Sequence, residues 1–491
     1  MYKSELFLGI DFGGTNIKAC VFDANGAEVA SASVDTPLSV SENRHERLLE
    51  DVDRCLITVI RDVVSARDDI ASRIVAIGCC GHGKGLYLVG KKGEHIYPAI
   101  ASTDSRAEAI VNEWRREGVE EYARECSLQP ILACQAAALL SWLRKENSSV
   151  YHSIQYVFEA KDYLRYVLTG EAWAEESDYS GTSLMNLRTR TFDPELFRTY
   201  GIEEMFDRMP PLCRSIDNCG RLKPEIANAT GLRPGTIVSG GMFDIDACLV
   251  GSGAFSDSEI CVITGTWSIN EFVSAQYLEC PETTKVSLFC DGAGYLFEES
   301  SPTSAGNLEW FRKNILHEID YQELNRIVST YEPDTIDTLF LPFLYGTMSG
   351  HATGTFSGLS ISTTTKDMLR AVFEGVAYGH DLHIKRLREV DPKRRSIVMT
   401  GGACKSEEWA HIFSDVMGMP LKTPMNGEIG ALGAAMSSAI LFGAYGNYHE
   451  AANSMVHYGE TIMPDMKKHE QYSTKRQRFR EMVEVFGAHG F

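Results

Sequence analysis

The segment of residues 6–22, LFLGIDFGGTNIKACVF, constrains the fold of this chain more than any other stretch. Its two apolar runs are joined by a Gly-Gly-Thr-Asn sequence, which predicts a β-hairpin with Gly13 and Gly14 at its tip. Glycines let backbone N–H groups approach an anion without a Cβ atom in the way. A Gly-Gly turn alone is nevertheless more typical of an ordinary hairpin than of a phosphate site.

Three neighbouring residues favour phosphate binding. Asp11 stands at the end of the first strand, Thr15 follows the glycines, and Lys18 lies on the return strand. The carboxylate offers a position for Mg²⁺, while the hydroxyl and the ammonium offer contacts for phosphate oxygens. We therefore predict that this hairpin binds phosphate.

The length of 491 residues predicts two or three domains, and the net charge of −20 argues against a nucleic-acid partner. The N-terminal segment MYKSELFLGIDF lacks a long apolar signal sequence, and no run of 18 apolar residues follows it, so we expect a cytoplasmic protein without a membrane span. The 13 cysteines form no CxxC pair, which indicates neither zinc nor redox chemistry. His380 and His383 alone do not predict a metal site.

Strands and helices alternate along the first half. After the hairpin, a turn at Asn25-Gly26 and a strand over residues 28–34 predict a three-stranded meander. Apolar residues at helical spacing predict a helix over residues 44–66, and residues 74–80 predict a buried strand. This alternation predicts an α/β fold with a mostly parallel sheet.

The loop GCCGHGKG, residues 78–85, resembles a P-loop but has Gly85 where Mg²⁺ binding needs a hydroxyl. A strand is predicted over residues 86–89 rather than a helix, so we expect the loop to line a substrate cleft. The charges of Asp104 and Arg106 are typical of a surface salt bridge. The polar run of residues 175–183 has too few apolar residues for a core segment.

The second half repeats the pattern of the first. Residues 259–264 and 267–273 predict strands joined by Gly265-Thr266, which indicates an internal duplication with a cleft between the halves. Asp244 follows a strand and two glycines. A strand over residues 396–400 runs into Gly401-Gly402 and a helix over residues 406–417, an arrangement that suits a nucleotide or a plain βα loop equally.

The chain resembles the FGGY carbohydrate kinases, which share the actin and Hsp70 ATPase fold, from residue 6 to about residue 443. The most specific segment is GTFSGLSISTTTKDMLRAVFEG, residues 354–375, which matches the C-terminal pattern of the family and is expected to end in a helix terminating at Glu374-Gly375. The N-terminal pattern matches less well, because Leu139 and Ala136 precede Trp142 where the family has other residues. The resemblance implies two actin-like (ribonuclease H-like) ATPase domains, residues 1–250 and 251–491, with a cleft between them.

The resemblance also implies roles for individual residues. Asp244 would be the general base, and Asp11 would hold Mg²⁺ through water. ATP would contact Gly13, Gly14, Thr15 and Lys18 with its γ-phosphate, Thr264, Gly265 and Thr266 with its other phosphates, and Gly306, Asn307, Glu309, Gly402 and Ser406 with its base. The sugar would contact Gly83, Lys84, Asp104, Arg106 and Asp244.

Within the family, GKGL, SPTSAGNLEWF and FLPFLYG are similar to members that phosphorylate L-xylulose, whereas kinases for D-xylulose tend to have a Gln-Met-His-Gly loop. This implies an ATP-dependent kinase for a ketopentose, L-xylulose or a related pentulose, that forms a homodimer. The alternatives are a kinase for D-xylulose, ribulose or a polyol, and an actin-like protein without catalysis such as a sensor, chaperone or filament former.

Overall fold

Two β-sheets form the framework of the protein, which we describe from a computed structural model for residues 4–346 and 353–489, with side chains to residue 486. The first sheet contains, in spatial order, Asn218–Arg221, Ile237–Ser239, Ile74–Gly81, Leu6–Phe12, Asn16–Asp23 and Glu28–Asp35, with Met242–Phe243 also paired to Ile74–Gly81. The second contains Lys285–Leu288, Tyr295–Ser301, Ser268–Ser274, Glu259–Thr264, Ser396–Gly401 and Leu421–Lys422.

The two sheets share one pattern. In each, a hairpin is extended by a third antiparallel strand on one side and by parallel strands on the other side. The repetition agrees with the expected duplication, and the α/β class is confirmed. The expectation of a mostly parallel sheet is wrong, because the meander strands and Asn218–Arg221 run antiparallel to their neighbours.

Helices and short sheets complete the fold. The short sheets pair Ser39–Ser41, Arg44–Arg47 and Ala99–Ile100; Tyr87–Val89 and Tyr156–Phe158; Ala174–Glu175 and Leu212–Cys213; Met185–Asn186 and Thr191–Phe192; and Leu339–Leu341 and Thr355–Ser357. The α-helices are Leu49–Ser65, Ile70–Arg73, Glu108–Glu117, Val119–Ser127, Ala136–Glu146, Ser148–Ser153, Ala160–Thr169, Glu176–Tyr179, Pro194–Thr199, Pro224–Thr230, Asp244–Ser252, Gly306–Asn314, Tyr321–Val328, Thr365–Val390, Glu407–Met417, Ile429–Phe442, Tyr448–Met455 and Met466–His489. Short 3₁₀ helices are Ser180–Thr182, Glu203–Arg208 and Ala403–Lys405.

Two helix predictions have wrong boundaries. The helix expected from residue 44 begins at Leu49, because Arg44–Arg47 pairs as a strand. The helix expected to end at Glu374-Gly375 continues to Val390. Gly375 is instead needed inside the helix for packing, since a Cβ atom there would lie 2.2 Å from the carbonyl oxygen of Phe340.

Two helices pack closely between the sheets. In Ile429–Phe442, the backbone at Ala431 touches Gly9 of the first sheet, where an added Cβ would lie 1.9 Å from the Ala431 oxygen. A Cβ at Gly433 would lie 2.1 Å from the oxygen of Ala247 in the helix Asp244–Ser252. These glycines let the two helices approach each other and the first sheet, which anchors both helices at the base of the region between the halves.

All 13 cysteines are free thiols. Within the described residues, none of the helices is both long and apolar enough to cross a membrane.

Candidate active site

The tip of the first hairpin is fixed by contacts from neighbouring segments. Gly13 donates its N–H to the oxygen of Asn16 at 3.0 Å, the guanidinium of Arg47 donates to the oxygen of Gly14, and Thr36 donates its N–H to the oxygen of Thr15 at 2.9 Å. A Cβ atom on Gly14 would meet nothing within 4 Å. Neither packing nor a left-handed backbone therefore requires glycine at this position, and the tip of the hairpin is exposed.

Asp11 and Lys18 lie opposite each other in the hairpin register. The ammonium of Lys18 forms an ion pair with Glu428 at 2.7 Å, so its charge is shared between Glu428 and Asp11 rather than directed at the tip alone. Burial raises the pKa of Asp11, and Lys18 opposes this shift. A Cβ atom on Gly430, at the start of the helix Ile429–Phe442, would lie 2.8 Å from Asp11. The positive end of that helix dipole therefore faces the carboxylate.

Asp244 lies at the same edge of the first sheet as Asp11. The central strand Ile74–Gly81 pairs in parallel with Leu6–Phe12 on one side and with Met242–Phe243 on the other side. In this register Asp11 lies opposite Cys80, and Phe243 lies opposite Gly81. Asp244 follows Phe243 and begins the helix Asp244–Ser252. The parallel register therefore brings the two carboxylates to the ends of strands that flank one common strand.

The electrostatic surroundings of Asp244 are unusual for a carboxylate. Burial raises its pKa well above the usual range, and the charges of Asp11 and Asp178 raise it further, while Lys84 opposes them. The side chain keeps part of its surface accessible. A partly accessible carboxylate with a raised pKa is suited to accept a proton from a bound alcohol.

The loop after Ile74–Gly81 places Lys84 beside Asp244. Lys84 has a φ angle of 67° and Gly85 one of 96°, so the chain turns sharply here and no P-loop forms. The Lys84 ammonium lies 5.3 Å from the centre of the Phe243 ring. Lys84 is partly buried rather than a solvated surface charge. Its cation is thus held next to the segment that carries Asp244.

In the second hairpin, the turn residues differ in how far they are exposed. The hydroxyl of Thr264 donates to the oxygen of Thr400 at 2.7 Å and accepts the N–H of Ala403 at 3.1 Å, so it joins two loops of the second sheet. Gly265 is partly exposed and Thr266 is exposed. Of the three residues of this hairpin predicted to contact the other phosphates of ATP, only Gly265 and Thr266 present surface to a ligand.

A cavity of about 440 Å³ opens beside the second sheet. This volume lies within the usual range of roughly 300–1,000 Å³ for small-molecule sites. Its walls combine apolar side chains with a few polar groups, and they consist of Ala305, Leu308, Glu309, Tyr321, Asn325, Phe373, Gly402, Lys405, Ser406 and Trp409.

Three of the five residues predicted for the base pocket line this cavity, namely Glu309, Gly402 and Ser406. Gly306 and Asn307 begin the helix that carries Glu309 but do not line the cavity. The amide of Asn307 is buried and donates to the oxygen of Ser304 at 2.9 Å. The aromatic and amide residues of the wall were not predicted. They come from three separate helices, and no local pattern in the sequence links them.

The sequence profile of the FGGY family of carbohydrate kinases matches with its N-terminal domain over residues 6–251 and with its C-terminal domain over residues 260–442. The chain belongs to the FGGY family of carbohydrate kinases. As a member of this family it is an ATP-dependent sugar kinase, which favours an enzyme over the sensor, chaperone and filament alternatives.

Similar proteins extend over nearly the whole chain. The L-xylulose/3-keto-L-gulonate kinase of Escherichia coli K12 is 32% identical, with 98% of this chain and 97% of the relative covered. The probable L-xylulose kinase of Pasteurella multocida Pm70 is 31% identical, with 98% and 99% covered. The solved structure of a ligand-bound xylulose kinase from Lactobacillus acidophilus has a TM-score of 0.91 at 22% identity, covers 99% of each chain, and demonstrates likeness of fold.

In this FGGY kinase, Asp104 and Arg106 form a buried ion pair, so the expectation of a surface salt bridge is wrong. The Arg106 guanidinium lies 2.7 Å from Asp104 and 2.8 Å from Glu46, and Asp104 also accepts the N–H of His45 at 2.7 Å. Arg106 stacks 5.1 Å above the ring of Trp142. Asp104 and Arg106, two of the predicted sugar contacts, therefore bond to each other and to the surrounding loops.

A buried charged cluster in the kinase was missed by the sequence analysis. The ammonium of Lys161 lies 2.6 Å from Asp162, 3.2 Å from Asp178 and 3.4 Å from Glu175, and all four side chains are buried. Residues 175–183, which we expected to lie outside the core, are buried except for the half-buried Glu176. The available signal was a Lys-Asp pair opening an otherwise apolar helix, since buried charges require partners.

Proposed function

We propose that this kinase phosphorylates a ketopentose, L-xylulose or a related pentulose, with Asp244 as the general base. The observation that carries the proposal is the placement of Asp244, a carboxylate with a raised pKa, beside the Lys84 cation and at the same sheet edge as the Asp11 hairpin. Two relatives named for L-xylulose, at 32% and 31% identity, support the choice of sugar.

The proposed reaction transfers the γ-phosphoryl group of ATP to a sugar hydroxyl. Asp244 accepts the hydroxyl proton as the sugar oxygen forms a bond to the γ-phosphorus, the bond between that phosphorus and the bridging oxygen breaks, and ADP leaves. Lys84 donates hydrogen bonds to the sugar. Asp104 and Arg106 shape the sugar pocket through their ion pair, together with the backbone of Gly83.

ATP would lie across the two hairpins. Gly13, Gly14 and Thr15 would face the γ-phosphate, and Lys18 would approach it from the return strand, with part of its charge offset by Glu428. Gly265 and Thr266 would face the remaining phosphates. The adenine would enter the 440 Å³ cavity, where the aromatic wall supplies stacking surface and Asn325 and Ser406 supply polar contacts.

The residues present fit Mg²⁺ bound mainly through substrate. Among the described residues, no group of three His, Cys, Asp or Glu side chains could hold a metal ion. Mg²⁺ characteristically uses one or two carboxylates together with phosphate oxygens and water, and Asp11 offers such a carboxylate. When bound, the ion would neutralise charge on the transferring phosphoryl group.

We further propose that the chain divides into two domains, residues 1–250 and 251–491. We also propose that it assembles as a homodimer and is located in the cytoplasm. The helix Ile429–Phe442 would then form the junction of the halves, because it belongs to the second half and packs on the first sheet. Light scattering of the purified protein would measure the oligomeric state.

A coupled ADP-release assay tests the proposed substrate. We expect the highest kcat/KM for L-xylulose among L-xylulose, D-xylulose, L-ribulose and D-ribulose. The acidic ketose 3-keto-L-gulonate, named for one relative, is a useful fifth compound, and the carboxylates around Lys84 predict that it is a poorer substrate here. A preference for D-xylulose, or ADP release with none of these sugars, would contradict the proposal.

A further inference from the structure

Two buried carboxylates next to the Lys84 loop lack hydrogen bonds. Asp178 and Glu159 are each 1% exposed. Among the described residues, no group donates a hydrogen bond to either oxygen of Asp178 or to Oε2 of Glu159. Burying such polar atoms without partners is costly, and native proteins retain few of them. A donor for these atoms must therefore come from outside the chain, as a ligand or as water.

The neighbouring cation compensates the charge of Asp178 without donating a well-aligned hydrogen bond to it. The ammonium of Lys161 lies 3.2 Å from Oδ2 of Asp178 but outside hydrogen-bonding geometry, and it donates instead to Asp162 at 2.6 Å. By contrast, Glu175 in the same cluster accepts the N–H of Ser177 at 3.1 Å and its hydroxyl at 2.7 Å. The cluster thus contains one carboxylate that accepts hydrogen bonds on both oxygens, Glu175, and one that is held by an ion pair alone, Asp178.

Asp178 lies against the Gly83 loop, which we propose to contact the sugar. A Cβ atom on Gly83 would lie 2.8 Å from Oδ1 of Asp178 and 2.6 Å from the ring of Phe243. The N–H of Phe243, the residue before Asp244, donates to Ser177 at 3.1 Å, which ties the two segments together. Asp178 therefore adjoins both the Gly83 loop and the start of the helix that carries the base.

Glu159 belongs to the same environment. It directly precedes the helix Ala160–Thr169, and the charges of Asp178 and Lys84 both act on its carboxyl group. Burial, followed by the charge of Asp178, raises the pKa of Glu159 well above the usual range. The pKa of Asp178 is raised to about 7, chiefly by burial. Raised pKa values of this kind concentrate at ligand sites.

We propose that Asp178 and Glu159 determine sugar specificity by accepting hydrogen bonds from ketose hydroxyl groups opposite the donor Lys84. The inference rests on the proposed function, since it deepens the recognition step at the same site. A pocket that holds acceptors on one wall and a donor on the other distinguishes epimers, because inverting one hydroxyl leaves a buried polar group unpaired.

The test compares two variants with a matched control. Asp178→Asn and Glu159→Gln keep the size of each side chain but replace one acceptor oxygen by a donor. Glu175→Gln alters a buried carboxylate of the same cluster whose oxygens are already satisfied. For each protein, kcat and KM are measured for L-xylulose, D-xylulose, L-ribulose and D-ribulose, with KM for ATP and thermal stability as further readouts.

We expect each of the two variants to raise KM for the best pentulose by roughly tenfold or more, about the effect of leaving a buried hydrogen-bonding group without its partner. The preference for that pentulose over its epimers should shrink, and KM for ATP should hardly change. Glu175→Gln should lower thermal stability without changing the order or the ratios of the four sugars.

The inference is overturned if kcat/KM falls by the same factor for all four sugars, or if Glu175→Gln changes the sugar ratios as much as the two variants do. Should Asp178→Asn fail to fold, Glu159→Gln decides the outcome by the same ratios. The wild-type activity separates the two proposals: a preference for D-xylulose, or ADP release with none of the sugars, refutes the proposed function, whereas unchanged ratios in the variants refute the recognition role.

Discussion

Replacing Asp244 by asparagine removes the proposed base while conserving side-chain volume and the capacity to hydrogen bond. We expect Asp244→Asn to bind ATP and sugar nearly as well as wild type but to lose turnover by on the order of 10²–10⁴, the usual contribution of a general base. At 1.36 kcal/mol per factor of ten, this corresponds to roughly 3–5 kcal/mol of barrier.

The size of the loss in turnover depends on whether a second carboxylate can replace Asp244. Asp178 is a neighbouring carboxylate whose charge acts on Asp244 and whose pKa is raised to about 7, chiefly by burial. If Asp178 takes over the proton, the loss stays near 10². The double variant Asp244→Asn with Asp178→Asn should then lose turnover further, toward 10⁴.

The assay is steady-state ADP release at saturating sugar and ATP, with binding of each ligand measured separately by calorimetry. Asp246→Asn is the matched control, because Asp246 lies two residues further along the same helix, is buried, and accepts the N–H of Cys290 at 2.9 Å. The control should lose stability but keep turnover within a few-fold of wild type. Turnover of Asp244→Asn within a few-fold of wild type would refute the assignment of the base.

Three further predictions concern the cleft, the sugar contact and pH. With sugar and a nucleotide analogue, small-angle scattering should show a smaller radius of gyration, since an open cleft would expose the γ-phosphate to water, and an unchanged radius would count against closure. Lys84→Met should raise KM for the best ketopentose by roughly tenfold or more while KM for ATP stays constant, and equal KM values for every ketopentose before and after the change would exclude the contact. Because the active form of Asp244 is deprotonated, kcat should fall as pH drops through its raised pKa. Lys84→Met should move this acidic fall in kcat to higher pH, and Asp178→Asn should move it to lower pH. A shift in the opposite direction would contradict the placement of these charges.

Local sequence patterns predicted much of the framework. Both hairpins, the strand Ile74–Gly81 and the helix Glu407–Met417 follow from apolar periodicity and glycine turns, which act over a few residues. Patterns failed where the partner is distant or the environment is unusual. Lys18 pairs with Glu428, which is 410 positions away. Within the polar run of residues 175–183, Glu175 and Asp178 are buried because Lys161 compensates their charge.

The predicted site residues also divide into those set by local patterns and those that depend on distant segments. Asp11 and Asp244 follow from strand ends and glycine turns, and the sheet register brings them together. The cavity wall from Phe373 and Trp409 depends on how helices pack on the second sheet, which no local pattern specifies. Asp104 and Arg106 are only two positions apart, but their burial depends on Glu46 and Trp142 from other segments.

The anchoring of the two central helices suggests what can move during a catalytic cycle. Asp11 and Asp244 both belong to the first sheet, and the glycine contacts of Gly9 and Gly433 hold the helices behind them in close backbone packing. The adenine cavity and the hairpin at Gly265 belong to the second sheet. Because close-packed backbone deforms little, closure would keep the base, the sugar loop and the first hairpin as one unit and would carry the nucleotide towards them. In-line transfer would then be possible only in the closed state. In the open state, the γ-phosphate of bound ATP would lie beyond the reach of the sugar hydroxyl.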